Sequence, residues 1–158
     1  MFREMRGAEK KLTESECIQI LKEEPRGVLS VLGDDDYPYG VPIDHWYNPE
    51  DGCIYFHGGP VGHKLDAIRK HDKVSFCVMD PGHKEPDDWA FTVRSVIVFG
   101  RVHFVEDHEE AIAITRKLSY KYTSDSDFIE NEILQSSRNV VCFVLTPEHI
   151  TGRRIREA

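Results

Sequence analysis

Apolar positions recur along this chain with two different periods, and the switches between them outline its elements. Thr13 to Glu24 shows Ile18, Leu21 and Cys17 in a stripe at helical spacing, Thr13-x-x-Glu16 fits a capping box, and Pro25 ends the run. The pattern then shortens to that of extended chain. GVLSVL (27–32) is β-rich and is followed by the turn signal GDDD; YPYGVPIDHWY (37–47) resumes the extended pattern, with Pro38 and Pro42 predicting edge or bulged geometry. The turn NPEDG leads into a strand, CIYFH (53–57), and a glycine-rich loop opens a helix to about Lys70. VSFCVM (74–79) is almost continuously apolar, as a central strand would be, and the polar loop DPGHKEPDD (80–88) follows. TVRSVIVFGRVHFVE (92–106) reads as one long strand or a pair bent at Gly100. A helix is predicted from Asp107 to about Tyr122, a second over 125–136, then the strand NVVCFVL (139–145) and a tail, EHITGRRIREA.

Six or seven strands with short connections predict mostly antiparallel pairing, in a closed or nearly closed small barrel with flanking helices. A doubly wound parallel sheet would need a helix between most strands. Neither GxGxxG after the first strand nor GxxxxGK[ST] anywhere is present, so dinucleotide-binding and P-loop readings fall away. With 158 residues and no repeat or low-complexity linker, the chain reads as a single domain, residues 1–158, with 1–11 a loose, charged N-terminal extension.

Charge narrows the partners. Lys plus Arg total 20 against 28 Asp plus Glu, a formal net charge of −8. No nucleic-acid partner is expected, because phosphate contacts need a basic face, and no membrane partner, because the balance repels an anionic surface and no run is long enough to span. MFREMRGAEKK has no apolar stretch of the secretory kind. The four cysteines, at 17, 53, 77 and 142, form no CxxC pair; Cys53, Cys77 and Cys142 lie in or beside strand-like runs and are expected as buried free thiols, which suits a reducing cytoplasm.

HGGPVGHKLDAI (57–68) concentrates the candidate chemistry. A helix N-terminus offers free N–H groups and positive potential, glycines let the backbone close on an anion, and a first-turn lysine adds a full charge. Gly58, Gly59, Gly62, His63 and Lys64 therefore describe a phosphate-binding corner, and equally a flexible turn ahead of a surface helix. Arg94 and Ser95 interrupt an apolar strand, either snorkelling from an edge or pointing into a cleft. His57, His63 and His71 show no HxxxH or HExxH spacing, so no metal site is assigned. His45, beside Trp46 and Tyr47, either lines an aromatic pocket or caps a barrel end.

GDDDYPYGVPIDHWY, IYFHGGPVGHKLDAIRKHDKVSFCV, VRSVIVFGRVHFVED and a closing TGR, in that order, strongly resemble the pyridoxamine 5′-phosphate oxidase-related flavoproteins, within them most closely the 5-nitroimidazole-resistance reductases. The resemblance spans roughly residues 12 to 153. It implies a mainly β fold, a split β-barrel with a few peripheral helices, binding FMN at the interface of a homodimer. It places the FMN phosphate on Gly62, His63 and Lys64, with Gly58 beside them, and the ring along Val41, Pro42, Ile43 and Asp44. It draws polar contacts to the same pocket from Arg94 and Ser95, and an approach from Gly152 and Arg153, either within the chain or across the dimer. His57 corresponds to the histidine beside the substrate, the one catalytic assignment; a plain strand-end histidine is the alternative.

Two departures matter. His45 and Trp46 stand where the branch has a tyrosine and a small apolar residue, and the Arg/Trp-bearing C-terminal segment of true pyridoxamine-phosphate oxidases is missing. The second speaks against a role in vitamin B6 synthesis. The implied function is an FMN-dependent oxidoreductase reducing a small-molecule acceptor such as a nitroimidazole or another nitroaromatic, with Arg94 offering positive charge to the reduced ring. The alternatives are a flavin carrier or redox sensor without turnover, and a split barrel using haem or a deazaflavin.

Overall fold

The computed structural model describes residues 1–157; Ala158, the end of the expected tail, lies outside them. The elements run α1 (Glu14–Glu23), β1 (Arg26–Leu32), β2 (Pro38–Asp44), β3 (Trp46–Asn48), β4 (Cys53–Gly58), α2 (His63–Lys70), β5 (Lys73–Met79), β6 (Phe91–Phe104), α3 (His108–Tyr120), α4 (Ser126–Ser136) and β7 (Val141–Glu157). The seven strands form one sheet of order β2-β1-β5-β6-β7-β4-β3, with antiparallel pairing throughout. It curls until Phe56 of β4 meets Phe76 of β5 edge-to-face at 5.1 Å, although two strands separate them in the sheet order. The result is the expected split barrel. The two prolines sit on edge strand β2, where a missing N–H costs no ladder bond.

Two expectations change. The stretch 37–47 is two strands, broken at His45. The tail EHITGRRIREA is no tail: Phe91–Phe104 of β6 pairs with β7 from Phe143 out to Glu157. That register holds except for a shift between Phe99 and Gly100, where a Cβ on Gly100 would stand 2.2 Å from the Thr146 carbonyl oxygen. Only glycine permits that approach, and the shift lets one strand pair serve both halves of the barrel. The strand character of the tail was hidden because its charged residues face solvent on both sides of a paired ribbon.

The inner face carries the core, including Leu29, Val31, Phe76, Val78, Val96, Val98, Phe143 and Leu145, each at most 3% exposed. α1 plugs one end with Cys17, Ile20 and Leu21, of which Ile20 and Leu21 are each worth roughly 2 kcal/mol when fully buried. Its start is the capping box read from sequence: Thr13 Oγ1 accepts from the Glu16 N–H at 3.2 Å, and the Glu16 carboxylate accepts from the Thr13 N–H at 2.8 Å. α1 reaches β7 so closely that a Cβ on Gly152 would lie 2.4 Å from Cys17 Sγ. Of the expected buried thiols, Cys142 is buried but Cys53 and Cys77 are only half so, since both point to the outer face; all four cysteines are free. No helix among the described residues is long and apolar enough to cross a membrane, and no group of three His, Cys, Asp or Glu among them could hold a metal ion.

His45 sits wholly inside, at the β2–β3 break. Its Nε2 lies 2.7 Å from the Leu21 carbonyl oxygen, so Nε2 carries the proton, and Nδ1 has no partner. Lys121 Nζ donates to the carbonyls of Glu24 (2.7 Å) and His45 (2.9 Å), and Tyr122 Oη lies 2.5 Å from the Pro25 carbonyl oxygen and accepts from the His45 N–H at 3.0 Å. This knot ties the end of α3 to the end of α1 and to the corner between β2 and β3.

Two outcomes follow from this packing. Burial, helped by Lys121, pulls the His45 pKa from 6.5 to about 4, so between those values the unfolded chain binds more protons and stability falls as pH falls through the window. Denaturant titrations at pH 7.5 and 4.5 should differ by up to about 3 kcal/mol, and His45→Gln should remove most of that difference; equal losses in both chains would exclude His45 as its source. Gly152→Ala should cost about 2 kcal/mol in urea unfolding by overpacking, and Cys17→Ala should recover part of it.

Candidate functional site

Strand alternation decides what each candidate can reach. On β2, Tyr39, Val41 and Ile43 pack against the core, so Pro42 and Asp44 point outward. Val41 and Ile43 turn their side chains into the core, so of the four residues expected along the ring only Pro42 and Asp44 present side chains to the outer face. On β4, Ile54 and Phe56 face in, and His57 faces out. Because the sheet curls, Asp44 and His57 come to one cleft of about 240 Å³, roofed by α3 and α4.

His57 is half-buried, and its ring makes no hydrogen bond with the described residues. Burial pushes its pKa below 6.5, while the Asp44 carboxylate pulls the other way. A neutral imidazole results at neutral pH, able to donate from one nitrogen and accept at the other. Asp44 itself is held by Arg26, Oδ1 to Nε 2.7 Å.

Gly58 follows His57 directly in the chain but has the inward parity of Ile54 and Phe56, and no residue of the glycine loop lines the cleft. Gly62, at φ 143°, precedes α2 without a side-chain cap, and its carbonyl accepts from the N–H groups of Leu65 (3.0 Å) and Asp66 (3.2 Å). The first-turn N–H groups of His63 and Lys64 keep no intrahelical acceptor. A Cβ on Gly59 or Gly62 would meet nothing within 4 Å, and one on Gly58 would stand 3.8 Å from Lys64 Nζ. Lys64 forms no salt bridge among the described residues. Open space, free N–H groups and an unpaired ammonium make this corner suited to an anion. The His63 side chain serves otherwise: it stacks on Tyr39 at 4.3 Å, and its Nε2 accepts from the Asp34 N–H at 3.2 Å. It braces α2 against the β1–β2 turn.

The remaining candidates lie elsewhere in the chain. Arg94 points inward, and its guanidinium Nε meets Asp80 Oδ2 at 2.7 Å, while its N–H bonds Oδ1 of the same carboxylate at 2.9 Å. Those bonds hold the Asp80 pKa below the usual carboxylate range against the opposing effect of burial. Ser95 faces the other side, between Met79 and Arg153. The expectation that Arg94 and Ser95 enter one pocket fails within a single chain, because adjacent strand residues project to opposite faces. Gly152 is buried beneath α1 and serves packing. Trp46 packs on Tyr55 at 5.4 Å with Lys117 over its ring, and with His45 in the core neither lines the cleft.

The sequence reading missed the cleft's roof. Leu118 and Tyr122 on one turn and Phe128 and Glu132 on the next helix line it. Their i, i+4 spacing marks two faces, but it could not say which surface those faces meet.

Larger likenesses bear on the whole arrangement. The pyridoxamine 5′-phosphate oxidase family profile matches residues 13–154. Among curated protein sequences none matches the chain. The fold superposes on a candidate 5-nitroimidazole antibiotic resistance protein of Bacteroides thetaiotaomicron with a TM-score of 0.78 at 22% identity, covering 93% of this chain and 87% of that one. A FAD-binding protein of Mesorhizobium loti gives 0.65 at 24% identity, covering 92% and 97%. A FAD- and haem-binding protein of Mycobacterium smegmatis gives 0.73 at 14%, covering 91% and 72%. With the profile covering nearly all of the curled sheet, the cleft and the glycine corner, the chain belongs to the pyridoxamine 5′-phosphate oxidase family.

Proposed function

We propose that this protein is an FMN-dependent oxidoreductase that works as a homodimer and reduces a small organic acceptor, nitroaromatic compounds among them. One observation carries the reading: an open anion corner, built from Gly58, Gly62 and Lys64, begins one residue after His57, which shares a cleft with Asp44. The residues fit a phosphate-bearing cofactor. Lys64 and the first-turn N–H groups of α2 would hold the phosphate; the outward side chains of Pro42 and Asp44 would lie along the ring. Bound flavin supplies the electron-transfer chemistry; the protein supplies orientation and protons. His57, neutral and unpartnered, can hold a proton at one ring nitrogen and pass it to an acceptor reduced beside it. Arg94, neutralised by Asp80, is set aside as the cation serving the ring.

The dimer rests on the outer face of β1, β5, β6 and β7. No helix among the described residues covers it, Phe2 of the N-terminal segment stacks on Phe99 at 5.7 Å, and Val28, Met79, Ile97 and Phe99 remain 40%, 62%, 38% and 40% exposed. A second copy would bury that apolar surface and bring Ser95 and Arg153 against its neighbour. The flavin- and haem-binding relatives of the same fold make the cofactor itself the point to test.

The purified protein should show flavin absorbance or take up FMN, and should release FMN on denaturation; a haem spectrum, or no uptake, would overturn the cofactor assignment. FMN should bind at least about tenfold more tightly than riboflavin, and Lys64→Ala should erase that preference, a loss of about 1.4 kcal/mol or more. Light scattering should report a dimer, and Ile97→Asp a monomer with weakened FMN binding. A dimer persisting in that variant would place the interface elsewhere.

A further inference from the structure

The cleft under α3 and α4 has a chemistry of its own. Its walls are apolar where Leu118, Phe128 and Ile133 line them, and polar where Asp44, His57 and Glu132 do. Of the hydroxyls around it, all but that of Thr123, which accepts from the Asp125 N–H at 3.1 Å, have already spent their protons. Thr115 Oγ1 donates to the Ala111 carbonyl at 2.9 Å, Ser119 Oγ to the Thr115 carbonyl at 2.8 Å, and Ser136 Oγ to the Glu132 carbonyl at 2.6 Å. Tyr122 Oη lies against the carbonyls of Pro25 and His45. What these groups still present is lone pairs.

Formal charge points the same way. Asp44 and Glu132 are the charged residues of the lining, and both are acidic. Among the described residues Glu132 has no ion-pair partner, whereas its neighbour Glu130 is taken by Arg116 at 2.6 Å. The nearest cations are committed elsewhere: Arg26 to Asp44, and Lys121 to the carbonyls of Glu24 and His45. An anionic ligand would meet two carboxylates, one of them paired with Arg26, and only the His57 N–H and the Thr123 hydroxyl as donors; a cation would meet charge-assisted partners. A volume of about 240 Å³ holds one ring with a short substituent and is too small for a nucleotide.

We propose that this cleft selects small ring-bearing organic cations, such as aromatic amines and amidines protonated on nitrogen, with Glu132 on α4 setting the charge preference and the apolar wall of α3 and α4 seating the ring. The proposal rests on the oxidoreductase reading only for the fate of the bound molecule, since binding itself requires no cofactor. It gives the α3–α4 hairpin a role in choosing the acceptor.

The test uses three probes of one shape on the purified full-length protein, both as isolated and after addition of FMN: benzylamine, benzyl alcohol and benzoate, followed by ligand-observed NMR and calorimetry. Benzylamine should bind at least about fivefold more tightly than benzyl alcohol, and benzoate should not bind. Glu132→Gln, an isosteric change on an exposed helix position, should bring benzylamine down to the level of benzyl alcohol and leave the thermal midpoint unchanged. Equal binding of benzylamine and benzoate, an undiminished preference in Glu132→Gln, or no binding of any probe at millimolar concentration would overturn the proposal. A protein that prefers benzylamine but takes no flavin would retain the cation cleft and lose the oxidoreductase reading. A protein that takes FMN but shows no charge preference would do the reverse.

Discussion

The long antiparallel pairing of β6 with β7 is the constraint on which the molecule depends. These strands of 14 and 17 residues are the only ones long enough to belong to both halves of the barrel. At one end they carry β5, and through it β1 and β2; at the other, β7 carries β4 and β3. A flat ribbon of that length would leave β2 and β4 far apart. The register shift at Gly100, where the backbone touches Thr146, provides the local bend and extra twist. The curl then brings edge strand β2 beside β4, and with it Asp44 beside His57. The cleft is a consequence of closure, since neither strand contains it.

Closure also sorts the two faces. The inside is filled by branched and aromatic residues, with α1 as the plug, and leaves no room for a ligand. The outside divides into three zones. α3 and α4 cover the outer side of β4 and the start of β7, and enclose the cleft. The polar knot of His45, Lys121 and Tyr122 secures that covering, because it holds the end of α3 to α1 and to the β2–β3 corner through carbonyls that would otherwise lack partners. The outer face of β1, β5 and β6 keeps apolar residues exposed, with Phe2 of the N-terminal segment stacked on Phe99 at 5.7 Å. Between the two zones, the glycine corner opens at the end of β4. The cleft and the glycine corner differ in chemistry: two carboxylates line the one, and the unpaired Lys64 ammonium stands at the other.

Much of this arrangement was legible beforehand. The capping box at Thr13, the edge position of the prolines, the bend at Gly100 and the open glycine corner at Lys64 each depend on residues close in sequence, and local sterics or local hydrogen bonding decides them. The less legible parts share a physical feature. Arg94 looked like a site residue because a charge in an apolar strand needs a partner; that partner, Asp80, sits 14 positions away across a hairpin. His63 looked like a phosphate ligand until the Asp34 N–H claimed its ring. Gly152 looked functional and is a contact point for Cys17, a residue 135 positions earlier in the chain.

The sequence by itself determined where the helices and most of the strands fall, that they form a small antiparallel barrel of the pyridoxamine 5′-phosphate oxidase type, and that a helix N-terminus with glycines and a lysine follows β4. Those features are set by hydrophobic period, turn chemistry and motif, all of short range. Tertiary structure alone decided which of the candidate side chains face one another. Strand alternation turned Val41 and Ile43 inward and set Arg94 and Ser95 on opposite faces. Curling of the sheet placed Asp44 by His57, and the docking of α3 and α4 gave that pair an acidic, donor-poor roof. Such pairings depend on register and closure, which are global properties of the sheet, and no stretch of sequence carries them.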